Sequence, residues 1–368
     1  MKIICPQQTL NKALNTVYKA VTNRTTIPIL KGILIETTSD NSIKMTATDS
    51  EISIEKECEC IVEEHGSIVL SSRLFTEMIK KLPASDVVIE EENGNVNIKC
   101  RSYSSDIISL QADEFPNISE VEEIERIILN KETFKKMVRK TSFAASTDES
   151  RGVLTGVLIE INNNTMSMVA LDGFRMAMAK ENIESDKNIK IIISARLLNE
   201  ITKILSDEDQ EEEFVLIIDN KKAVFSIGTT RITSRLLEGN FINYNEIIPK
   251  VNKCIVKADR KELVDVIERA SLIVKEGKNN LIKVRIDDNS AVITSRSEEG
   301  KIKEELSVDV EGEGLEIGFN SRYILDVMKV IEDEEVVMEF NTNVTPCLVK
   351  PEEGSDFEFL ILPVRITS

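Results

Sequence analysis

A single histidine, His65, supplies all the imidazole in this 368-residue chain. A Ser-His-Asp or Cys-His mechanism would have to be built on it. Its neighbours Glu63, Glu64 and Gly66 read as a polar turn between strands, so His65 is expected at the surface. There is no G-x-x-x-x-G-K-[ST] phosphate loop, no G-x-G-x-x-G after a strand, and no D-x-D-x-D-G calcium loop. Carboxylates are so abundant, at 64 Asp and Glu, that no acidic pair stands out. These absences shift the balance from catalysis towards binding, and no catalytic, metal or cofactor residue is assigned.

Cysteine is sparse and badly spaced for metal. Cys5, Cys58, Cys60, Cys100, Cys254 and Cys347 contain one C-x-C and none of the paired C-x-x-C spacing of a zinc site. Reduced thiols within strands are expected. No apolar run approaches the roughly 18 residues of a membrane span. No signal-peptide pattern is seen, and Met1-Lys2-Ile3-Ile4-Cys5 already alternates like a strand. A cytoplasmic protein with no membrane partner is expected, in which the Asn163-Asn164-Thr165 sequon carries no weight.

What the chain does have is an internal repeat. Ser71–Leu82, Ser194–Leu205 and Asn320–Ile331 match, with Arg73, Arg196 and Arg322 in register, a period of about 125 residues. Each opens on a Ser or Asn able to cap a helix and continues with apolar residues at helical spacing, in the first copy Leu74, Met78 and Leu82. Met45–Asp49 and Met168–Asp172 repeat in the same register, as do helix–strand pairs running from Leu10 to Thr37, Phe134 to Ile161 and Leu263 to Ile286. Three domains of similar fold are expected, at residues 1–122, 127–250 and 251–368. Alternating stretches at Ile52–Cys58, Val87–Glu90, Val96–Cys100 and Val215–Ile218 read as strands. The fold class is therefore α+β: per domain, two helices on antiparallel sheet. The acidic runs Glu120–Glu125 and Asp207–Glu213 read as solvated loops.

Net charge is −18, which at first argues against nucleic acid. Its distribution points the other way. The six expected helices (7–24, 71–82, 131–145, 194–205, 258–275 and 320–331) carry a basic excess on an otherwise acidic chain, densest in Lys131, Lys135, Lys136, Arg139 and Lys140. The helix at 258–275 is neutral, and Lys-rich helices are common without a partner. A shared helical face of this kind would make salt-dependent phosphate contacts that carry no sequence information.

Five motifs in order complete the pattern: Arg151–Gly156, Asp172–Ala177, Arg269–Leu272, Ile317–Tyr323 and Leu362–Ile366. Together with the repeat they make the chain resemble, from end to end, the β subunit of bacterial DNA polymerase III, the sliding-clamp family. The resemblance implies a head-to-tail homodimer, a closed ring lined by twelve helices and surrounded by sheet, encircling double-stranded DNA as a non-enzymatic processivity factor. Twelve helices about 10 Å apart give a circumference near 120 Å and a hole of about 28 Å. One or three chains fit duplex DNA less well.

The resemblance further implies DNA contacts at Arg24, Arg73 and Arg196, to which the charge pattern adds Lys136, Arg139 and Lys203. It implies a cleft for a short, partly apolar motif of polymerase and clamp-loader subunits. Carried across, that cleft comprises Leu154, Leu171, Gly173, Phe174, Arg175, Met176, Ile247, Asn320, Tyr323, Val344, Leu360, Leu362, Pro363, Val364 and Arg365. Phe174 stands where the family often has histidine, Ile242 where proline is frequent, and Glu246 where a basic residue occurs. One wall should be more apolar and the rim more acidic. At the subunit interface, Leu272 and Ile273 are expected to meet the edge strand around Ile107 and Ile108 of the other copy. An enzyme on repeated domains, a scaffold that never touches DNA, and a family member devoted to repair or a mobile element remain alternatives at this point.

Overall fold

A computed structural model describes residues 1–22, 25–118, 121–207, 212–274 and 280–366. Arg24, Glu120 and residues 208–211 of the second acidic run lie outside the described residues.

One element string occurs three times, the middle copy being one short strand shorter among the described residues. The first copy runs β1 (Lys2–Pro6), α1 (Gln7–Val17), β2 (Gly32–Ser39), β3 (Ser42–Thr48), β4 (Ile52–Glu59), β5 (Ile61–Glu64), β6 (Ser67–Ser71), α2 (Ser72–Lys81), β7 (Asp86–Glu92), β8 (Asn95–Cys100) and β9 (Tyr103–Ile108). The second runs β10 (Glu125–Leu129), α3 (Lys131–Thr141), β11 (Gly156–Asn162), β12 (Thr165–Leu171), β13 (Arg175–Asn182), β14 (Ile189–Ser194), α4 (Ala195–Asp207), β15 (Phe214–Ile218), β16 (Lys222–Ile227) and β17 (Thr230–Arg235). The third runs β18 (Cys254–Asp259), α5 (Arg260–Ser271), β19 (Leu281–Asp287), β20 (Ser290–Ser297), β21 (Gly300–Ser307), β22 (Asp309–Gly312), β23 (Glu316–Asn320), α6 (Ser321–Met328), β24 (Glu335–Phe340), β25 (Cys347–Lys350) and β26 (Phe357–Ile361).

In each copy the first strand pairs antiparallel with the strand that follows the second helix: β1 with β7, β10 with β15, β18 with β24. Two further pairings stitch one copy to the next. β17 pairs with β4, Ser234 opposite Ile52, and β13 pairs with β26, Arg175 opposite Ile361. Four antiparallel sheets result, ordered β5-β1-β7-β8-β9, β10-β15-β16-β17-β4-β3-β2-β6, β14-β11-β12-β13-β26-β25-β24-β18-β22 and β21-β20-β19-β23. The third strand after a first helix is β4, β13 or β21, and the last strand of a copy is β9, β17 or β26. Two of the three combinations are paired; among the described residues β9 and β21 stand at sheet edges.

The chain forms two compact units, Met1–Lys131 with Glu200–Leu236, and Glu132–Asn199 with Leu237–Ser368, so the middle copy is divided between them. Each unit holds one stitched seam. The first buries Leu10, Leu14, Phe75, Ile79, Phe214 and Phe225. The second is built on aromatics: Phe357 stacks on Phe359 at 5.0 Å, Phe143 lies 5.9 Å from Phe359, and Phe319 lies 6.4 Å from Phe340.

The helices are shorter than expected. α1 ends at Val17 and passes into a 3-10 turn, and α5 spans Arg260–Ser271. On α2 the expected row Leu74–Met78–Leu82 holds only in part: Leu82 is buried and Met78 half-buried. Phe75 and Ile79 are buried with Ser72 and Thr76, whereas Leu74 is exposed. Both rows have helical spacing; the larger Phe75 takes the core side, and its neighbour is left outside. Asn320 does cap α6, its Oδ1 accepting from Arg322 N at 3.0 Å, whereas Ser71 makes no side-chain cap. The six thiols are free and buried, five within strands and Cys60 in the link between β4 and β5. His65 sits exposed in the β5–β6 turn, bonded to Asp40 Oδ1 and Thr37 Oγ1. No helix among the described residues is long and apolar enough to cross a membrane.

Candidate functional site

The turn from β12 to β13 stands at the centre of the residues expected to form the cleft. Asp172 Oδ1 accepts from Phe174 N at 2.8 Å and Arg175 N at 3.0 Å, folding the chain back on itself. Gly173 occupies φ +87°, and a Cβ there would stand 3.1 Å from Arg151 Nη2, so this position favours glycine twice over. The turn sends the next two side chains in opposite directions: Phe174 is 54% exposed and Arg175 only 9%.

Arg175 is tied down on every side. Its Nε donates to Asp172 Oδ2 at 3.2 Å, its Nη1 to Asp326 Oδ2 at 2.6 Å, and its Nη2 to the Phe143 carbonyl at 2.8 Å. The guanidinium lies 4.7 Å from the Tyr323 ring centroid and 5.3 Å from that of Phe143. A planar, forked cation satisfies these directions together; lysine could not. Burial, then the Asp172 carboxylate, pushes the Tyr323 phenol above its usual range. Phe174 stacks on the other side of this group, 6.3 Å from Tyr323. Arg175 thus braces the wall rather than offering a free charge.

The chain's last segment completes the frame. Beyond β26, Leu362 N donates to Phe174 O at 2.9 Å and Val364 N to Gly318 O at 2.8 Å. Terminal residues fray unless docked, and these two bonds hold Leu362, Pro363 and Val364 in place. Arg365 is exposed beyond them.

Below lies an apolar floor. Leu171, Met176 and Leu360 are buried in one cluster with Leu158, Val169, Met178, Ile192, Tyr244 and Leu348, and Leu154 packs against it half-buried. Above it, Phe174, Ile247, Val344, Leu362 and Ile242 leave large apolar surface in solvent. Val344 sits in the β24–β25 turn, bonded to Thr342 Oγ1, and Asn320 is committed to its cap. Of the residues expected here, Leu171, Met176 and Leu360 are therefore floor. Gly173, Arg175, Asn320 and Tyr323 are frame, and the exposed apolar residues are rim.

Sequence reasoning misses the buttress. Leu237, Phe241, Tyr244 and Ile248, in the segment between β17 and β18, pack on the floor together with Val153. Tyr244 Oη donates to Glu160 Oε2 at 2.7 Å, and burial followed by that carboxylate pushes its phenol up. The available signal is the spacing of apolar residues in Phe241-Ile242-Asn243-Tyr244-Asn245-Glu246-Ile247-Ile248, of which the family resemblance points only to Ile242, Glu246 and Ile247. Glu246 is exposed and accepts from Asn243 Nδ2 at 2.7 Å.

The residues expected at DNA lie on three helices. Arg73 on α2, Lys136 and Arg139 on α3, and Arg196 and Lys203 on α4 are all exposed. Arg24 lies outside the described residues. α3 turns out less basic outward than its five cations suggest: Lys131 and Lys140 are buried, Lys140 with Nζ 2.9 Å from Asp356 and over the Phe357 ring. At the expected interface, Ile108 on edge strand β9 is 80% exposed and Leu272, just past α5, is 62% exposed, while Ile107 and Ile273 are half-buried.

Comparison with known proteins accounts for the whole chain. Residues 1–119, 128–243 and 245–365 match the N-terminal, central and C-terminal domains of the DNA polymerase III beta subunit. The beta sliding clamp of Bacillus subtilis is 36% identical over 379 residues, covering 99% of this chain and 100% of that protein. The crystal structure of the Bacillus subtilis DNA polymerase sliding clamp superposes with a TM-score of 0.95 at 34% identity, covering 100% of both chains. The sliding clamp of Pseudomonas aeruginosa, solved bound to griselimycin, gives a TM-score of 0.93 at 25% identity over 100% of both chains. Three repeats of one string, each with two helices on antiparallel sheet, place this chain in the DNA polymerase III beta subunit family, the sliding clamps.

Proposed function

We propose that two copies of this chain close into a ring that encircles double-stranded DNA and tethers the replicative polymerase, conferring processivity without catalysing a reaction. The observation that carries this reading is the pair of unpaired edges. β17–β4 and β26–β13 are equivalent seams, and the third member of the series would join β9 to β21. Those strands belong to the first and third repeats, so the missing seam forms between copies, head to tail, and two copies satisfy it twice. Ile107 and Ile108 on β9 and Leu272 and Ile273 beyond α5 supply the apolar surface that such an obligate interface buries.

On this reading the three repeats are clamp domains at 1–122, 127–250 and 251–368, and the protein works in the cytoplasm. Arg24, Arg73, Lys136, Arg139, Arg196 and Lys203 face the duplex and contact phosphates. The cleft described above takes a short motif from polymerase and clamp-loader subunits, an apolar anchor on the floor and its backbone along Leu362–Val364. Ile242 and Phe174 enlarge the apolar wall, while Glu246 disfavours acidic residues at the rim. Sedimentation equilibrium at micromolar concentration tests the carrying observation: a dimer is expected, converted to monomer by Ile273→Asp. A wild-type monomer, or an Ile273→Asp dimer, would count against the third seam.

A further inference from the structure

Two cations expected at DNA are already held by the protein's own carboxylates. Lys136 Nζ lies 3.1 Å from Glu181 Oε1, and Arg139 Nη1 lies 3.0 Å from Glu332 Oε1, its Nη2 donating to the Lys329 carbonyl. Both pairs line one open groove of about 450 Å³ along α3. The Glu181 hydrogen bond, with the charges of Glu181, Asp356 and Glu332 behind it, raises the Lys136 ammonium above its usual range. Lys203 on α4 is held likewise by Glu200 at 2.8 Å. Arg73 on α2, by contrast, makes no ion pair among the described residues.

We propose that Glu181 and Glu332 are built-in competitors of DNA phosphate, holding Lys136 and Arg139 in pairs that the backbone must displace. The inference rests on the reading of α3 as DNA-facing. Exposed ion pairs contribute little net stability, so a phosphate can replace the carboxylate. The exchange still costs part of each phosphate contact, because the released carboxylate is left beside a polyanion. α3 thereby gives two weak contacts in quick exchange, which suits a ring held on DNA by topology. Arg73, with no carboxylate to displace, makes the stronger single contact. Displacement also has a salt signature. A freed carboxylate recruits cations and offsets those released from DNA, so each latched cation adds less than the roughly 0.9 per contact expected of a free one.

The experiment is fluorescence-anisotropy binding of the full-length dimer to a labelled linear duplex, which threads the ring from its ends, across a salt series. Glu181→Gln with Glu332→Gln is expected to bind several-fold more tightly at low salt, its log affinity falling more steeply with log salt by up to about 2. Glu92→Gln with Glu313→Gln, an exposed pair bearing the same change in net charge, should leave both quantities near wild type. Lys136→Ala with Arg139→Ala should weaken binding. Unchanged binding by the Glu181/Glu332 variant, or equal tightening by the control, overturns the proposal. If Lys136→Ala with Arg139→Ala still weakens binding, the DNA-facing assignment of α3 survives that failure; if it does not, the assignment falls too.

Discussion

At the β13–β26 seam, Asp172 closes a turn by accepting from the backbone N–H groups of Phe174 and Arg175, and Leu362 N returns to Phe174 O. At the β4–β17 seam, Asp49 accepts in the same way from Glu51 and Ile52, at 3.0 and 2.8 Å, and Arg235 N returns to Glu51 O at 3.1 Å. Gly173 at φ +87° has its counterpart in Ser50 at φ +79°. The backbone plan is one, but the side chains on it are opposite in kind. Leu171 pairs with Met176, and Met176 with Leu360; the equivalents are Thr48 with Ser53, and Ser53 with Thr233. Phe174 at the rim is replaced by Glu51.

An apolar anchor that buries fully against leucine and methionine gains about 1.5–3 kcal/mol, whereas threonine and serine offer less apolar area, and Thr48 and Ser53 keep their hydroxyls in their own hydrogen bonds. On the proposed reading the first seam serves to join two repeats, while the second does so and also receives a partner. The two joints share one hydrogen-bond frame, and the proposed binding site differs from its counterpart in side chains alone.

Several substitutions would break or sharpen this contrast. The largest effect is expected from Arg175→Ala. It strands Asp172 and Asp326 around an emptied, largely buried site and should cost about 3–5 kcal/mol in urea denaturation, with Arg175→Lys a poor rescue. Phe174→Glu, which copies the first seam's Glu51, should leave stability nearly unchanged because the side chain is exposed. It should weaken binding of a peptide copied from a clamp-binding segment of the cognate polymerase by about 2 kcal/mol, read by calorimetry. Gly173→Ala should lower stability by about 1–2 kcal/mol through its positive φ, while Ser50→Gly should raise it by up to about 1 kcal/mol. Glu51→Phe, the reverse graft, should create no peptide binding, because Thr48, Ser53 and Thr233 remain beneath it; calorimetric binding at the first seam would refute the floor argument.

Much of this contrast is legible in the amino-acid sequence. Met45–Asp49 and Met168–Asp172 align, which reveals the shared turn, and alternation marks the strands around Ile52–Cys58 and Val215–Ile218. Helical periodicity cannot decide whether Leu74 or Phe75 faces inward, since both rows repeat every three to four residues. Nor can it tell that Lys131 and Lys140 turn to the core while Lys136 and Arg139 stay outside, because that depends on the acidic partners Asp356, Glu181 and Glu332, distant in sequence. The buttress of Phe241 and Tyr244 stays hidden for a similar reason: apolar residues in a connecting segment show their role only once the floor they cover exists.

Encirclement is the claim on which the rest depends. Protein loaded by the cognate clamp loader with ATP onto nicked circular plasmid, washed in high salt and then challenged by linearising the DNA, tests it directly. The expected result is retention on circles and loss on cutting. Equal retention before and after cutting, or none despite an active loader, would contradict it.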